Sequence, residues 1–227
     1  MLNYLFGNNN SILSAVIYFL SSCFIIFFTL PVHEYAHGLA AYKLGDNTPK
    51  YTGRLTLNPF AHIDYIGALM IILFGFGWAK PVEVNTRNFK KPKVGMAITA
   101  LAGPFSNLIV AFVFTFVFYG LAFLMRSTVA ITLLTYVMTF VSFVININIT
   151  LAVFNLIPIP PLDGSRLLSV FLPDRIYYKI MQYERFMFII IFLLCYKGFF
   201  SDWLGIVSNA ILNLFNNIAF SFFSIFI

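Results

Sequence analysis

The chain has 227 residues, 60% of them hydrophobic and 10% charged, and carries a formal net charge of +6. A soluble domain has about 25% charged residues, and no polar stretch here exceeds about 30 residues, too short to fold as a domain of its own. A water-soluble fold is therefore excluded. The basic excess lacks the aromatic–basic interleaving of a nucleic-acid surface and is better explained by membrane topology.

Met1 to Val32 contains no charged residue. The absence of a basic n-region and the length of the apolar run predict a retained first helix rather than a cleaved signal peptide. Six apolar stretches follow one another: Ser11 to Tyr42, Ile63 to Ala79, Val94 to Met125, Thr128 to Ile157, Phe186 to Phe200 and Trp203 to Ile227. Runs of about 20 apolar residues have the length of a bilayer-spanning helix. Ile63 to Ala79 is shorter and carries Gly67, Gly75 and Gly77, which weaken a helix. In the loop before it, Tyr51, Leu55 and Leu57 alternate with polar neighbours, and in the loop after it Val82 and Val84 do the same, which predicts short strands. Cys23 and Cys195 lie in apolar runs at no metal-like spacing and read as packing residues.

The 14 Lys and Arg residues orient these elements, because cytoplasmic loops carry the excess. If Ile63 to Ala79 crosses the membrane, Lys43, Lys50 and Arg54 face away from Lys80, Arg87, Lys90, Lys91 and Lys93. If it dips in and returns, only Arg126 and Lys197 lie outside. The second arrangement fits the rule better and puts the N-terminus outside. The expected fold is an all-α polytopic membrane protein with about five transmembrane helices, a re-entrant segment and a short membrane-associated β-hairpin. It forms one integral-membrane domain over residues 1–227, with a core at 11–184 and C-terminal helices at 186–227.

His33, Glu34 and His37 interrupt the first apolar run as an H-E-x-x-H pattern. Residues four apart share a helix face, so both imidazoles can reach one cation. Glu34, beside the first of them, is placed to take a proton from a water that the cation acidifies. Zinc needs one more protein ligand and an open position, and His62, Asp64, Asp163 and Glu184 are all candidates. Asp163 follows Pro158, Pro160 and Pro161, which end the preceding helix. It opens a predicted short helix over Gly164 to Leu172, where an aspartate often serves only as an N-cap.

Taken in order, "HEYAH", "GRLTLNPFAHID", "GWAKPVEVN", "ALAGPFSN" and "NLIPIPPLDG" resemble the site-2 protease family of intramembrane zinc metallopeptidases, in its compact prokaryotic branch without PDZ or CBS domains. The family pattern has a proline after the aspartate of the loop motif, where this chain has Tyr65. The resemblance implies one zinc ion per chain held by His33, His37 and Asp163, with Glu34 as general base. It also places Asn107 near the site, to orient substrate or stabilise the oxyanion, although a helix–helix hydrogen bond would equally occupy such an asparagine. His62, in a polar loop, is expected in solvent or against substrate. The implied reaction is hydrolysis of peptide bonds in or near transmembrane segments of membrane-anchored proteins, such as an anti-sigma factor or a transcription-factor precursor. The implied location is the prokaryotic plasma membrane, with the site towards the cytoplasm. The expected partners are a transmembrane substrate and the lipid bilayer, without nucleic acid; no oligomeric state is implied.

Two other classes compete with this reading. Intramembrane His, Glu and Asp can line the path of a zinc or proton transporter, but the chain has no internal repeat of the kind transporters show. An inactive metal-binding scaffold has no need of Glu34.

Overall fold

The computed structural model describes residues 12–74, 77–125 and 131–226. Its elements are α1 (Ile12–Phe24), a π-helical turn (Ile25–Thr29), α2 (Leu30–Lys43), α3 (Thr48–Tyr51), α4 (Tyr65–Phe74), α5 (Pro92–Met125), α6 (Ile131–Asn155), α7 (Gly164–Phe171), α8 (Asp174–Met181), α9 (Glu184–Tyr196) and α10 (Ser201–Phe223). Four helical segments among the described residues are long and apolar enough to cross a membrane: Ala15–Lys43, Pro92–Phe123, Leu133–Asn155 and Ser201–Phe223. The chain is an all-helical, multi-pass membrane protein.

Helices α5 and α6 pack against each other along a seam of small and β-branched residues: Ala111, Val141, Ile145, Ile149 and Val153. Helix α10 covers one side of this pair through Leu204, Val207 and Ile211. On another side α2 lies against α5, and α7 folds back onto α5 near the same level. Inside the apolar bundle, Asn148 donates to the Val144 carbonyl at 2.8 Å and to the Thr29 hydroxyl at 3.3 Å, tying α6 to the π-turn that precedes the histidines.

Two expectations need correction. α9 has 13 residues, about 20 Å of helix at 1.5 Å per residue against a hydrocarbon thickness of about 30 Å. The described residues therefore supply four spanning helices instead of about five, and Lys197 caps a helix too short to cross. Arg126 lies outside the described residues. The expected β-hairpin is absent as well, since no described residue is in a strand. Tyr51 closes the helical turn α3, and Gly53, at φ +70°, turns the chain in a conformation that interrupts any pairing. Asn58 then starts a further turn by accepting from the Phe60 amide at 3.1 Å. Pro81 to Val84 has no regular secondary structure; the Val82 amide is bonded to Glu34 on α2 and the following Asn85 amide to Asp46.

Ile63 to Ala79 leaves and returns at one place. The Lys80 amide donates to the His62 carbonyl at 2.7 Å, so the two ends of the excursion meet. Its two arms come close where Gly67 meets Gly77 and Trp78. A side chain at Gly67 would collide with the Trp78 backbone, and one at Gly77 with the Gly67 carbonyl.

Asp46 anchors the returning chain. Its buried carboxylate accepts from the Thr48 amide (3.0 Å), the Thr48 hydroxyl (2.6 Å), the Asn85 amide (2.7 Å) and the Asn88 side chain (2.7 Å). Burial alone would push the carboxyl up, but these bonds to the charged form hold it below the usual carboxylate range. Asp46→Ala is expected to cost about 2–4 kcal/mol at neutral pH, because four donors lose a charged acceptor. With the folded-state value depressed, the wild-type advantage is complete above about pH 4 and fades as pH falls through that lower value. Thermal unfolding of both proteins in detergent between pH 7 and pH 3 measures it.

Candidate metal centre and active site

His33, Glu34 and His37 sit on α2 and are all buried. Pro31 enters at the N-terminal end of this helix, where proline costs little, and Gly38, Ala40 and Ala41 follow without bulk. Helix α5 comes close beside the histidines at Gly103. A β-carbon there would run into His37 Nε2 and lie 2.6 Å from His33 Cε1, so only glycine allows this approach.

The third group comes from the segment between α6 and α7. Asp163 occupies the N-cap position of α7, yet its side chain makes no capping bond. Its Oδ2 lies 3.2 Å from His33 Nε2 and 3.2 Å from His37 Nε2, and the two Nε2 atoms are 3.0 Å apart. Of the four candidates for a third ligand, Asp163 alone joins the cluster. His62 is buried rather than in solvent, correcting the expectation, and its Nε2 bonds the Thr56 carbonyl at 2.9 Å. Asp64 accepts from the Gly67 amide at 2.8 Å and starts α4. Glu184 stands in the first turn of α9.

This donor set fits a zinc ion. Tetrahedral zinc with ligands at about 2.0–2.1 Å separates neighbouring donor atoms by about 3.3 Å, close to the 3.0–3.2 Å spacings. His37 Nδ1 donates to the Thr99 carbonyl at 2.7 Å. A carbonyl can only accept, so Nδ1 carries a hydrogen, and in the neutral ring that binds a metal Nε2 is left with its lone pair towards the cluster. His33 Nδ1 is buried and has no hydrogen-bond partner.

Glu34 faces the same small cavity as His37 and Asp163, of about 50 Å³, enough for a water molecule or two but not for a peptide. Its Oε2 accepts from the Val82 amide at 2.9 Å, so the segment Pro81–Val84 roofs the site. Asn107 lies one turn along α5 from Gly103. It is almost fully buried, its Oδ1 has no hydrogen-bond partner, and it does not line the cavity.

Several contributors escaped sequence reading. Thr99 and Val82 act through backbone groups, which no side-chain pattern announces. Gly103 stood in "ALAGPFSN", where a glycine inside a long apolar helix was the available signal. Arg166 also lines the cavity, and its signal was a cation three residues from Asp163, on the same helical face.

Removal of Asp163 and of His62 separates the site from the loop. Asp163→Ala is expected to abolish stoichiometric zinc, while His62→Ala keeps it even if activity falls. Elemental analysis of the two purified variants decides between them.

Residues 21–195 match Peptidase family M50. The chain is 42% identical over 175 residues to "Putative zinc metalloprotease YwhC" of Bacillus subtilis, covering 75% of this chain and 76% of that protein. It is 27% identical over 184 residues to "Putative zinc metalloprotease Rip2" of Mycolicibacterium smegmatis, covering 77% of this chain and 66% of that one. No solved structure matches. With two buried histidines and a half-buried aspartate clustered beside a glutamate inside a bundle of membrane helices, the chain belongs to peptidase family M50, the site-2 protease family of intramembrane zinc metallopeptidases.

Proposed function

We propose that His33, His37 and Asp163 hold the zinc ion of this intramembrane protease and that Glu34 is its general base. The observation that carries the assignment is the convergence of two imidazole nitrogens and one carboxylate oxygen within 3.2 Å, next to a fourth, acidic side chain. Bound there, zinc supplies Lewis acidity, polarising the scissile carbonyl and acidifying water. The protein's own groups do the rest. Glu34 accepts the proton as the water oxygen attacks the carbonyl carbon, then delivers it to the leaving amide nitrogen as the C–N bond breaks. Asp163 and the Thr99 carbonyl hold the imidazoles in register. Asn107, with a buried and unpartnered oxygen one turn from Gly103, is the residue proposed to orient substrate once the chain is engaged.

The substrate is a transmembrane segment of a membrane-anchored protein. Its helix must unwind locally, because a helix buries its carbonyls in its own hydrogen bonds. Pro81–Val84, in neither helix nor strand, offers main-chain groups for the unwound chain. The Val82 amide holds one oxygen of Glu34 and leaves the second carboxylate oxygen to take the proton. The lysines and arginines flanking Ile63 to Ala79 orient the catalytic end of α2 towards the cytoplasm, in the plasma membrane of a prokaryotic cell.

Glu34→Gln is expected to keep zinc and lose hydrolysis by about 10²–10⁴-fold, since an amide cannot accept the proton. Cleavage of a reporter transmembrane substrate at wild-type speed by this variant would overturn the assignment. The topology has its own test. In a background without Cys23 and Cys195, cysteines placed at Lys50 and Lys90 are expected to react with an impermeant thiol reagent from the same, cytoplasmic face, and reaction from opposite faces would contradict it.

A further inference from the structure

Arg166 is the one permanently charged cation among the residues that line the cavity beside the candidate metal cluster. It stands in the first turn of α7, three residues after Asp163, and its backbone amide donates to the Asp163 carbonyl at 2.9 Å. The side chain is partly buried. Its guanidinium reaches the Met96 sulfur at 3.7 Å, a weak acceptor that uses little of a group with five N–H donors. No carboxylate lies within ion-pairing distance of it among the described residues, although Glu34 and Asp163 share the same cavity wall. A partly buried arginine commonly pairs with a carboxylate. This one has no such partner among the described residues and stands at the cavity wall it shares with Glu34 and Asp163.

The charge balance says what it waits for. Glu34 and Asp163 together neutralise a divalent cation, so Arg166 leaves the site with one excess positive charge. Attack of water on the scissile carbonyl forms a C–O bond and moves the C=O π pair onto the carbonyl oxygen. That new negative charge is the only one the reaction creates, since the proton lost by water stays on Glu34 until the amide nitrogen takes it. We propose that Arg166 is a catalytic residue of the protease reaction, donating guanidinium N–H groups to the oxyanion of the tetrahedral adduct. The role rests on the zinc-protease assignment of the same site. Charge-assisted donors aimed at developing charge in a water-poor cavity are worth most in the transition state and little in the ground state.

The test uses the full-length zinc-loaded protein in detergent, with a reporter transmembrane substrate and a phosphinic peptide analogue of its scissile bond. The analogue's P–O⁻ stands for the oxyanion. Arg166→Gln is expected to lower kcat by about 10²–10³-fold, as for loss of one oxyanion donor, with KM nearly unchanged and zinc retained. Its affinity for the phosphinic analogue, measured by direct binding without turnover, should fall in parallel. Arg166→Lys should recover part of both, being a point charge without the planar fork. Guanidinium ion added to Arg166→Ala should restore turnover. Three results would overturn the proposal: kcat within a few-fold of wild type in Arg166→Gln, a rise in KM alone, or loss of zinc in both the Gln and Lys variants. Failure of the wild type itself to bind zinc or to cleave would take down the underlying protease assignment, and this role with it.

Discussion

Three electron-rich atoms held within about 3 Å of one another repel unless something positive lies between them. With its Nδ1 hydrogen committed to Thr99, the neutral ring of His37 turns the lone pair of Nε2 to the cluster, and Asp163 brings a full negative charge to the same point. Placing such a cluster among apolar helices is costly, since ionisable groups at membrane depth are tolerated only where they are paired or functional. A zinc ion converts that cost into attraction. Much of the surrounding structure serves to keep the three atoms together: Gly103 lets α5 approach the imidazoles, the proline-rich turn before α7 delivers Asp163, and the Asn148–Thr29 contact fixes the helix that carries the histidines.

Around that cluster the loops on either side of α4 are built as a cover. Asp46 pins Asn85 and Asn88, Glu34 holds Val82, and the His62 carbonyl holds Lys80. The segment is thus stitched over the cavity at three points by groups from elsewhere in the chain. The middle stitch is Glu34 itself, so the group proposed as the base also fixes the wall of its own cavity.

The H-E-x-x-H pattern was legible because its geometry is local. Two residues four apart on a helix meet whatever the rest of the fold does, and His33 and His37 do so. Asp163 lies far along the chain, so its place in the cluster follows from tertiary packing; family motifs pointed to it where spacing left four candidates. The same limit explains the misses. Alternation at Tyr51, Leu55 and Leu57 looked like a strand, but Gly53 and the turn at Thr48–Tyr51 impose a different path. The apolar run from Phe186 to Phe200 was counted among about five spanning helices, but its helix, Glu184–Tyr196, is too short to cross. His62 looked solvent-bound because its neighbours are polar, whereas the loop closes over it. Thr99 and Val82 contribute main-chain atoms, to which sequence patterns are blind.

X-ray absorption at the zinc edge of the purified protein tests the ligand set most directly. Two imidazole nitrogens at about 2.0–2.1 Å, a carboxylate oxygen at a similar distance and a further light atom are the expected shell. A third imidazole, or sulfur at about 2.3 Å, would contradict the site formed by His33, His37 and Asp163.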